Sequence, residues 1–283
     1  MIYHGKSNHF SNWLAARSNF EVATKLRKIN VEKFKDKNDI RNAIIKEIKS
    51  PDAKHRFGEV TDFSSHENNN SRFYKMCGGS LGGKARGLAF AKDMIVQSGI
   101  NDNYENIVVK IPRTAIIGTE EFDRFMKNNN LWDDALKAES NKKVEETFLK
   151  SRLSMDITLK VEAFLKKCKR PLAVRSSSLL EDSQYQALSG AYSTFMLSND
   201  QEVFKDRINE VTNAIKLVFA SIFFQESKSH FSHTAHRTEE EKMAVILMEL
   251  AGKKYSSRRF YPTFSGVLKS INFYPVSLSL IHI

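Results

Sequence analysis

The sequence predicts a mixed α/β (α+β) fold, and three observations carry that prediction. Two short apolar runs, P-L-A-V (171–174) and M-A-V-I-L-M-E-L (243–250), have the length and branched content of buried strands. Stretches with apolar residues at helical spacing lie between and around them. A glycine-rich stretch, C-G-G-S-L-G-G-K-A-R-G-L-A-F-A (77–91), leads straight into such a helical pattern. Strands and helices interleaved along one chain imply a sheet covered by helices.

Two helices are expected in residues 1–60, which read as a helical N-terminal extension. The first spans 10–29, with Ser11 as N-cap and Trp13, Leu14, Phe20, Ala23, Leu26 and Ile29 inward. The second spans 38–49, with Ile40, Ile44, Ile45 and Ile48 on one side and Pro51 beyond its end. Residues 61–71 are polar and read as a turn-rich link.

Gly78, Gly79, Gly82 and Gly83 stand just before Lys84. Glycine permits positive φ and close backbone approach. The amides that open the following helix lack intrahelical partners, and a lysine there adds positive charge, so the stretch can cradle phosphate. A flexible turn before a helix is the plain alternative. It is not a Walker A loop, because Ala85 stands where Ser or Thr would follow the lysine. The helix itself should bury Ala85, Leu88, Ala89, Met94, Ile95 and Val96 and stop at Gly99.

The run N-I-V-V-K-I-P-R-T-A-I-I-G-T (106–119) reads as one or two strands around Pro112, with Thr119 capping the next helix. That helix turns Phe122, Phe125 and Met126 inward. Residues 128–151 are polar and partly helical. A helix at 155–167 buries Ile157, Val161, Phe164 and Leu165, and a strand at 171–178 ends in a serine turn. A long helix at 201–224 turns Val203, Ile208, Val211, Ile215, Val218, Phe219 and Ile222 inward. Strands at 243–250, 264–268 and 271–274 complete the reading.

Composition narrows the classes. An apolar fraction of 41%, with twenty Phe in 283 residues, can build a core. No apolar run reaches membrane-spanning length, and the N-terminus lacks an apolar leader. Two cysteines make no disulfide framework, and a reducing cytoplasm is the expected location. The net charge is +11, and residues 1–60 carry 13 Lys/Arg against 7 Asp/Glu. Those charges interleave, as in V-E-K-F-K-D-K, and read as solvated helix faces rather than a nucleic-acid surface. No zinc-finger spacing or RNA-binding aromatic motif supports nucleic acid as a partner.

Chemistry-bearing residues gather in the second half. Arg175 ends a buried strand before Ser176, Ser177 and Ser178, and its guanidinium can fork onto phosphate oxygens. It could equally pair a carboxylate. Glu181 and Asp182 could orient Arg175 or Lys84, or lie near a metal, or be plain loop acids. Ser189, Gly190 and Thr194 belong to a second small-residue loop able to wrap a polyphosphate, or to an ordinary turn. His230, His233 and His236 recur every third residue, but no cysteine lies near them, and no metal site is assigned.

The order of these parts resembles the N-terminal ATP-binding domain of the pyruvate phosphate dikinase and phosphoenolpyruvate synthase (pyruvate, water dikinase) family. The matching stretches are G-G-K-A-R-G-L-A (82–89), I-P-R-T-A-I-I-G-T (111–119), L-A-V-R-S-S-S-L-L-E-D-S (172–183), S-G-A-Y-S-T-F-M-L (189–197) and M-A-V-I-L-M-E-L (243–250). The resemblance covers residues 72–276. F-S-N-W-L-A-A-R (10–17) and F-S-G-V-L-K-S-I-N-F-Y-P (264–275) look like a bacterial branch of large multidomain relatives.

The resemblance implies an ATP-grasp-like fold that holds ATP and Mg²⁺. On that basis Lys84 and Arg175 contact the phosphates and carry the catalysis. Gly82, Gly83, Ser176, Glu181, Asp182, Ser189, Gly190, Thr194 and Glu249 complete the nucleotide site. In the family, ATP phosphorylates a histidine on a separate domain, which passes the phosphoryl group to pyruvate. An ATP-sensing regulatory module is the alternative, as is a dikinase with another acceptor, such as a glucan or an antibiotic.

Two departures stand out. The family often has glutamine where Met248 stands, which leaves adenine hydrogen bonding open, with backbone groups able to supply it. Leu188-Ser189-Gly190 replaces the usual F-A-G. The family's metal-binding carboxylate, phosphohistidine domain and pyruvate-binding domain are expected downstream of this chain. The domain is therefore expected to be incomplete at its C-terminus and inactive alone. Residues 278–283, L-S-L-I-H-I, match the translation of a transposon-end sequencing adapter and are expected to be non-native.

Overall fold

The computed structural model describes residues 2–15, 20–29, 31, 34, 36–48, 60–63, 72–178, 192–232, 241–256 and 259–267. The chain forms two compact units, Met1–Glu249 and Leu250–Ile283.

The first unit opens with four helices, α1 (Ile2–Lys6), α2 (His9–Ala15), α3 (Phe20–Arg27) and α4 (Lys37–Ile48). Leu14, Ala23 and Leu26 are buried together, with Phe10, Ile29 and Ile44 packed against them. The single helix expected over 10–29 is thus described as two, with 16–19 outside the described residues. Ser11 is not a cap. It lies inside α2, buried, and donates to the Asn8 carbonyl at 2.9 Å. Trp13 is 56% exposed, so its place in the expected apolar stripe is corrected.

The sheet that follows has six strands in the order β1-β2-β3-β6-β4-β5. They are β1 (Thr61–Asp62), β2 (Phe73–Lys75), β3 (Thr114–Ile117), β4 (Leu172–Ser178), β5 (Thr194–Leu197) and β6 (Met243–Glu249). The first three run parallel, and β6, β4 and β5 pair antiparallel. The link expected over 61–71 therefore contributes a strand at Thr61–Asp62.

Side chains alternate across a strand, so each face has its own cover. One face carries Tyr74, Ala115, Ile117, Leu172, Val174, Val245 and Leu247. It is covered by α6 (Thr119–Asn128), α7 (Trp132–Lys137), α8 (Asn141–Lys150), α9 (Met155–Lys167) and α10 (Phe204–Ala220). Phe122, Phe125, Phe148, Phe219 and Phe223 interlock there with ring centroids 5.3–5.7 Å apart. The other face is covered by α5 (Gly82–Gln97), whose Ala85 and Ala89 sit on Phe73, Ile116 and Ile246. Small residues on this helix let it lie close to the sheet.

Several expectations hold closely. The helix at 155–167 starts after Ser154, whose hydroxyl accepts from the Ile157 amide. Gly99 follows the end of α5 at φ 61, the left-handed stop the sequence predicts. Others are corrected. Met94 (47%) and Val96 (72%) are exposed on α5, and Val203 (58%) is the exposed residue before α10. Residues 106–111 form no strand: the Asn101 side chain, not a neighbouring ladder, holds both backbone groups of Val109.

The second unit contains a hairpin, β7 (Lys253–Ser256) and β8 (Arg259–Tyr261), that the sequence reading missed. Tyr255 and Tyr261 stack across it at 4.0 Å. The strand expected at 264–268 is absent over Phe264–Val267, and 268–274 lies outside the described residues.

Candidate functional site

The glycine stretch leaves β2 and crosses the ends of β3 and β4 before entering α5. Its backbone is tied at both sides. On the β3 side, the Thr119 amide donates to the Ser80 carbonyl at 3.0 Å, and the Ser80 amide donates to Thr119 Oγ1 at 2.9 Å. The Glu120 amide reaches the Gly78 carbonyl at 3.3 Å, and Cys77 Sγ the Gly118 carbonyl at 3.4 Å. From behind, Lys160 Nζ on α9 donates to the Met76 carbonyl at 2.8 Å.

On the β4 side, Ser177 does the tying. Its hydroxyl donates to the Leu81 carbonyl at 2.8 Å and accepts from the Ala85 amide at 3.1 Å. Ser80 Oγ accepts from the Gly82 amide at 3.3 Å. Two first-turn amides of α5 are therefore taken by hydroxyls rather than aimed outward, which trims the expected cradle. Gly79 and Gly82 sit at φ 86 and φ 73, so two of the glycines meet a real conformational demand.

Lys84 lies in the first turn of α5 and is half-buried, with Nζ 3.5 Å from Ser176 Oγ. Arg175 is the preceding residue of β4, also half-buried, and pairs in register with Thr194 and Ile246. Arg175 and Ser177 share the α5 face of the sheet, two residues apart. Lys84 thus reaches β4 at Ser176, next in the chain to Arg175, beside the glycine loop. Thr194 joins them as the exposed cross-strand partner of Arg175. Gly82 and Gly83 open α5 beside them. Ser176 is fully buried.

Glu249 is placed elsewhere. Ser176 pairs with Val245, and Glu249 lies four residues further along β6, roughly 13 Å at the usual strand rise. It pairs with Leu172 on the opposite face, its carboxylate 3.6 Å from Arg113 Nε. Burial, helped by the nearby Glu249 charge, pushes the Cys168 thiol up to about 12. Burial also raises the Cys77 thiol. Glu181, Asp182, Ser189 and Gly190 lie outside the described residues, as do His233 and His236.

Sequence reasoning missed Ser80, Thr119 and Lys160 as parts of this loop. Thr119 was read as a helix cap, but Gly118 holds that position and the Thr119 hydroxyl serves Ser80 instead. The only sequence signal was a hydroxyl residue at each end of a two-way hydrogen bond. Among the described residues, no group of three His, Cys, Asp or Glu side chains could hold a metal ion, and no helix is long and apolar enough to cross a membrane.

Among curated proteins, none matches the chain. The family model described as pyruvate phosphate dikinase, AMP/ATP-binding domain, matches residues 79–281. That span takes in the glycine loop, the sheet from β3 to β6 and the hairpin. The sheet with its helices is an ATP-grasp-like nucleotide-binding fold, and the chain belongs to the pyruvate phosphate dikinase AMP/ATP-binding domain family.

Proposed function

We propose that this chain is the ATP-binding part of a phosphoenolpyruvate synthase-like phosphotransferase. ATP would lie on the α5 face of the sheet, its phosphates between the glycine loop and β4. The single observation that supports this most is the approach of Lys84 Nζ to within 3.5 Å of Ser176 Oγ, the chain neighbour of Arg175, across 92 residues of sequence.

The chemistry fits those residues. Phosphoryl transfer spreads charge over the equatorial oxygens, and positioning plus charge neutralisation supplies most of its catalysis. Arg175 offers a planar fork and Lys84 a compact point charge. Ser177 and Thr119 hold the loop that positions them. Gly82, Gly83 and Thr194 would border that space, Ser176, buried on the opposite face, would anchor Lys84, and Ser189 and Gly190 would extend the cover in sequence. The Glu249 side chain is occupied by Arg113, so its part would be to hold the far end of β6 in place.

Mg²⁺, if bound, would supply charge neutralisation at the phosphates and would need carboxylate partners. Glu181 and Asp182, the nearest acids in sequence to Arg175, would be those partners. In the full reaction a histidine nitrogen would attack a phosphorus of ATP, the P–N bond would form, and the P–O bond to the departing nucleoside phosphate would break. The histidine and pyruvate would belong to other domains, in a cytoplasmic protein.

Calorimetric titration of the 283-residue chain with ATP tests the reading. Lys84→Ala and Arg175→Ala are each expected to weaken binding by about ten- to a hundredfold, the loss of one charge-assisted contact. Wild-type affinity in both variants would overturn it.

A further inference from the structure

We propose that His4 and His9 form a two-imidazole chelate for a tetragonal divalent transition-metal ion, Cu²⁺ above all. The pair lies in the N-terminal helices, outside residues 79–281, so it stands or falls apart from the ATP reading.

The spacing of the two rings carries the proposal. His4 Nδ1 and His9 Nδ1 lie 2.9 Å apart, each ring turning the same nitrogen toward the other. Imidazole nitrogens bind first-row divalent ions at about 2.0–2.1 Å. Two of them at the right angle of a tetragonal site are then about 2.9 Å apart, and at a tetrahedral angle about 3.3 Å apart. The pair has the first spacing. Square-planar and tetragonal nitrogen sites select Cu²⁺ and Ni²⁺, and Cu²⁺ is the strongest binder of the series.

A hydrogen bond between two neutral rings has the same spacing, with one Nδ1–H donating to one bare Nδ1. The chelate needs both Nδ1 atoms bare and both ring protons on Nε2. Both residues are exposed, so water can accept from Nε2 and the change of tautomer costs little. Exposure also leaves the remaining coordination positions to water. Among the described residues no group of three His, Cys, Asp or Glu forms there, so the site lacks the ligand count of a closed zinc centre.

The chain holds the rings in place before an ion arrives. His4 lies in the last turn of α1, and His9 opens α2 five residues later. The turn between them is pinned. The Ser7 amide donates to the Tyr3 carbonyl at 3.1 Å, the Asn8 amide to the Gly5 carbonyl at 3.2 Å, and the Asn12 amide to the Asn8 carbonyl at 2.9 Å. Asn8 sits at φ 56, a conformation asparagine reaches more readily than most residues. Tyr3 meets both rings edge-on, with centroids 5.3 Å from His4 and 5.5 Å from His9, and Phe10 meets His4 at 6.1 Å. Side chains already held in the bound arrangement lose less freedom on binding. An ion held this way would staple α1 to α2 and stabilise the N-terminal helices.

The test titrates the 283-residue chain with Cu²⁺ and Zn²⁺ in a non-coordinating buffer, by calorimetry and, for copper, by electron paramagnetic resonance. Wild type is expected to bind a Cu²⁺ whose tetragonal spectrum is split by two nitrogens. His4→Ala and His9→Ala are each expected to weaken that ion by at least about tenfold and to remove the two-nitrogen splitting. Both residues are exposed, so the variants keep the fold, which circular dichroism checks. Replacing His230, His233 and His236 together with alanine is expected to leave this ion in place. Zn²⁺ is expected to bind at least about tenfold more weakly than Cu²⁺. Absence of the two-nitrogen copper signal overturns the proposal. So does an unchanged copper affinity in H9A, which would assign the ion to His4 and the chain's amino group, or in H4A. Zn²⁺ bound as tightly as Cu²⁺ overturns the tetragonal geometry.

Discussion

The backbone carbonyl of Ser177 lies where a side chain on Gly82 would have to go: a Cβ there would overlap the Ser177 oxygen. The φ of 73° adds a second objection to any other residue. Gly82→Ala is expected to cost about 2–4 kcal/mol, from overpacking against backbone plus left-handed strain. Gly87, on the same helix, meets nothing within 4 Å. Gly87→Ala should therefore stabilise by about 0.5–1 kcal/mol. Urea melts of the two variants measure both, and equal effects would contradict the close approach.

Ser177 is fully buried and its hydroxyl serves the Leu81 carbonyl and the Ala85 amide at once. Ser177→Ala leaves both backbone groups without that partner, at an expected cost of about 1–3 kcal/mol. Chemical denaturation reads this directly. A change below about 0.5 kcal/mol, the ordinary size for an innocuous surface substitution, would show that the loop is not held by this hydroxyl.

Glu121 predicts a pH dependence. Its side chain is fully buried, and burial raises its pKa above 4.5 despite bonds from the Ser154 amide and hydroxyl and the Arg124 charge. Between 4.5 and the raised value, the folded state binds more protons than the unfolded one. Stability contributed by this group is therefore present at low pH and lost as pH rises through that window. Glu121→Gln cannot ionise, so its stability relative to wild type should improve from pH 4.5 to 7. Parallel stability–pH curves for the two proteins would contradict this.

Cys168 is buried and its thiol is pushed up to about 12. It should be nearly inert to a thiol reagent at pH 8 in the folded chain and react on unfolding in guanidinium. Labelling followed by mass spectrometry of peptides separates it from Cys77. Native labelling of Cys168 at the rate of a free thiol would contradict its placement beside Glu249.

The parts of the fold legible in the sequence were those with a long period or a strong cap. Helix α9 shows both, with Ser154 ahead of it and Ile157, Val161, Phe164 and Leu165 at helical spacing. Strands β4 and β6 were legible as apolar runs because both lie inside the sheet. Strands β1 and β2, of two and three residues, are too short to show a period. The hairpin β7–β8 was illegible because K-K-Y-S is polar and exposed throughout. The opposite error came at Ile107 and Val108, where branched residues lie exposed with no partner strand. A helix start and a strand end each marked Lys84 and Arg175 in the sequence, but only the family resemblance joined them, and the structure brings Lys84 Nζ to Ser176. Thr119 and Ser80 carried no such mark, because their pairing is tertiary and 39 residues apart.

The central claim is that the glycine loop, Lys84 and Arg175 form the seat of a nucleotide triphosphate. A crystal structure of the chain with a non-hydrolysable ATP analogue tests it most directly. The account predicts phosphate oxygens within hydrogen-bond distance of Lys84 Nζ and the Arg175 guanidinium. An analogue bound away from β4, with both cations still facing their present protein neighbours, would contradict it.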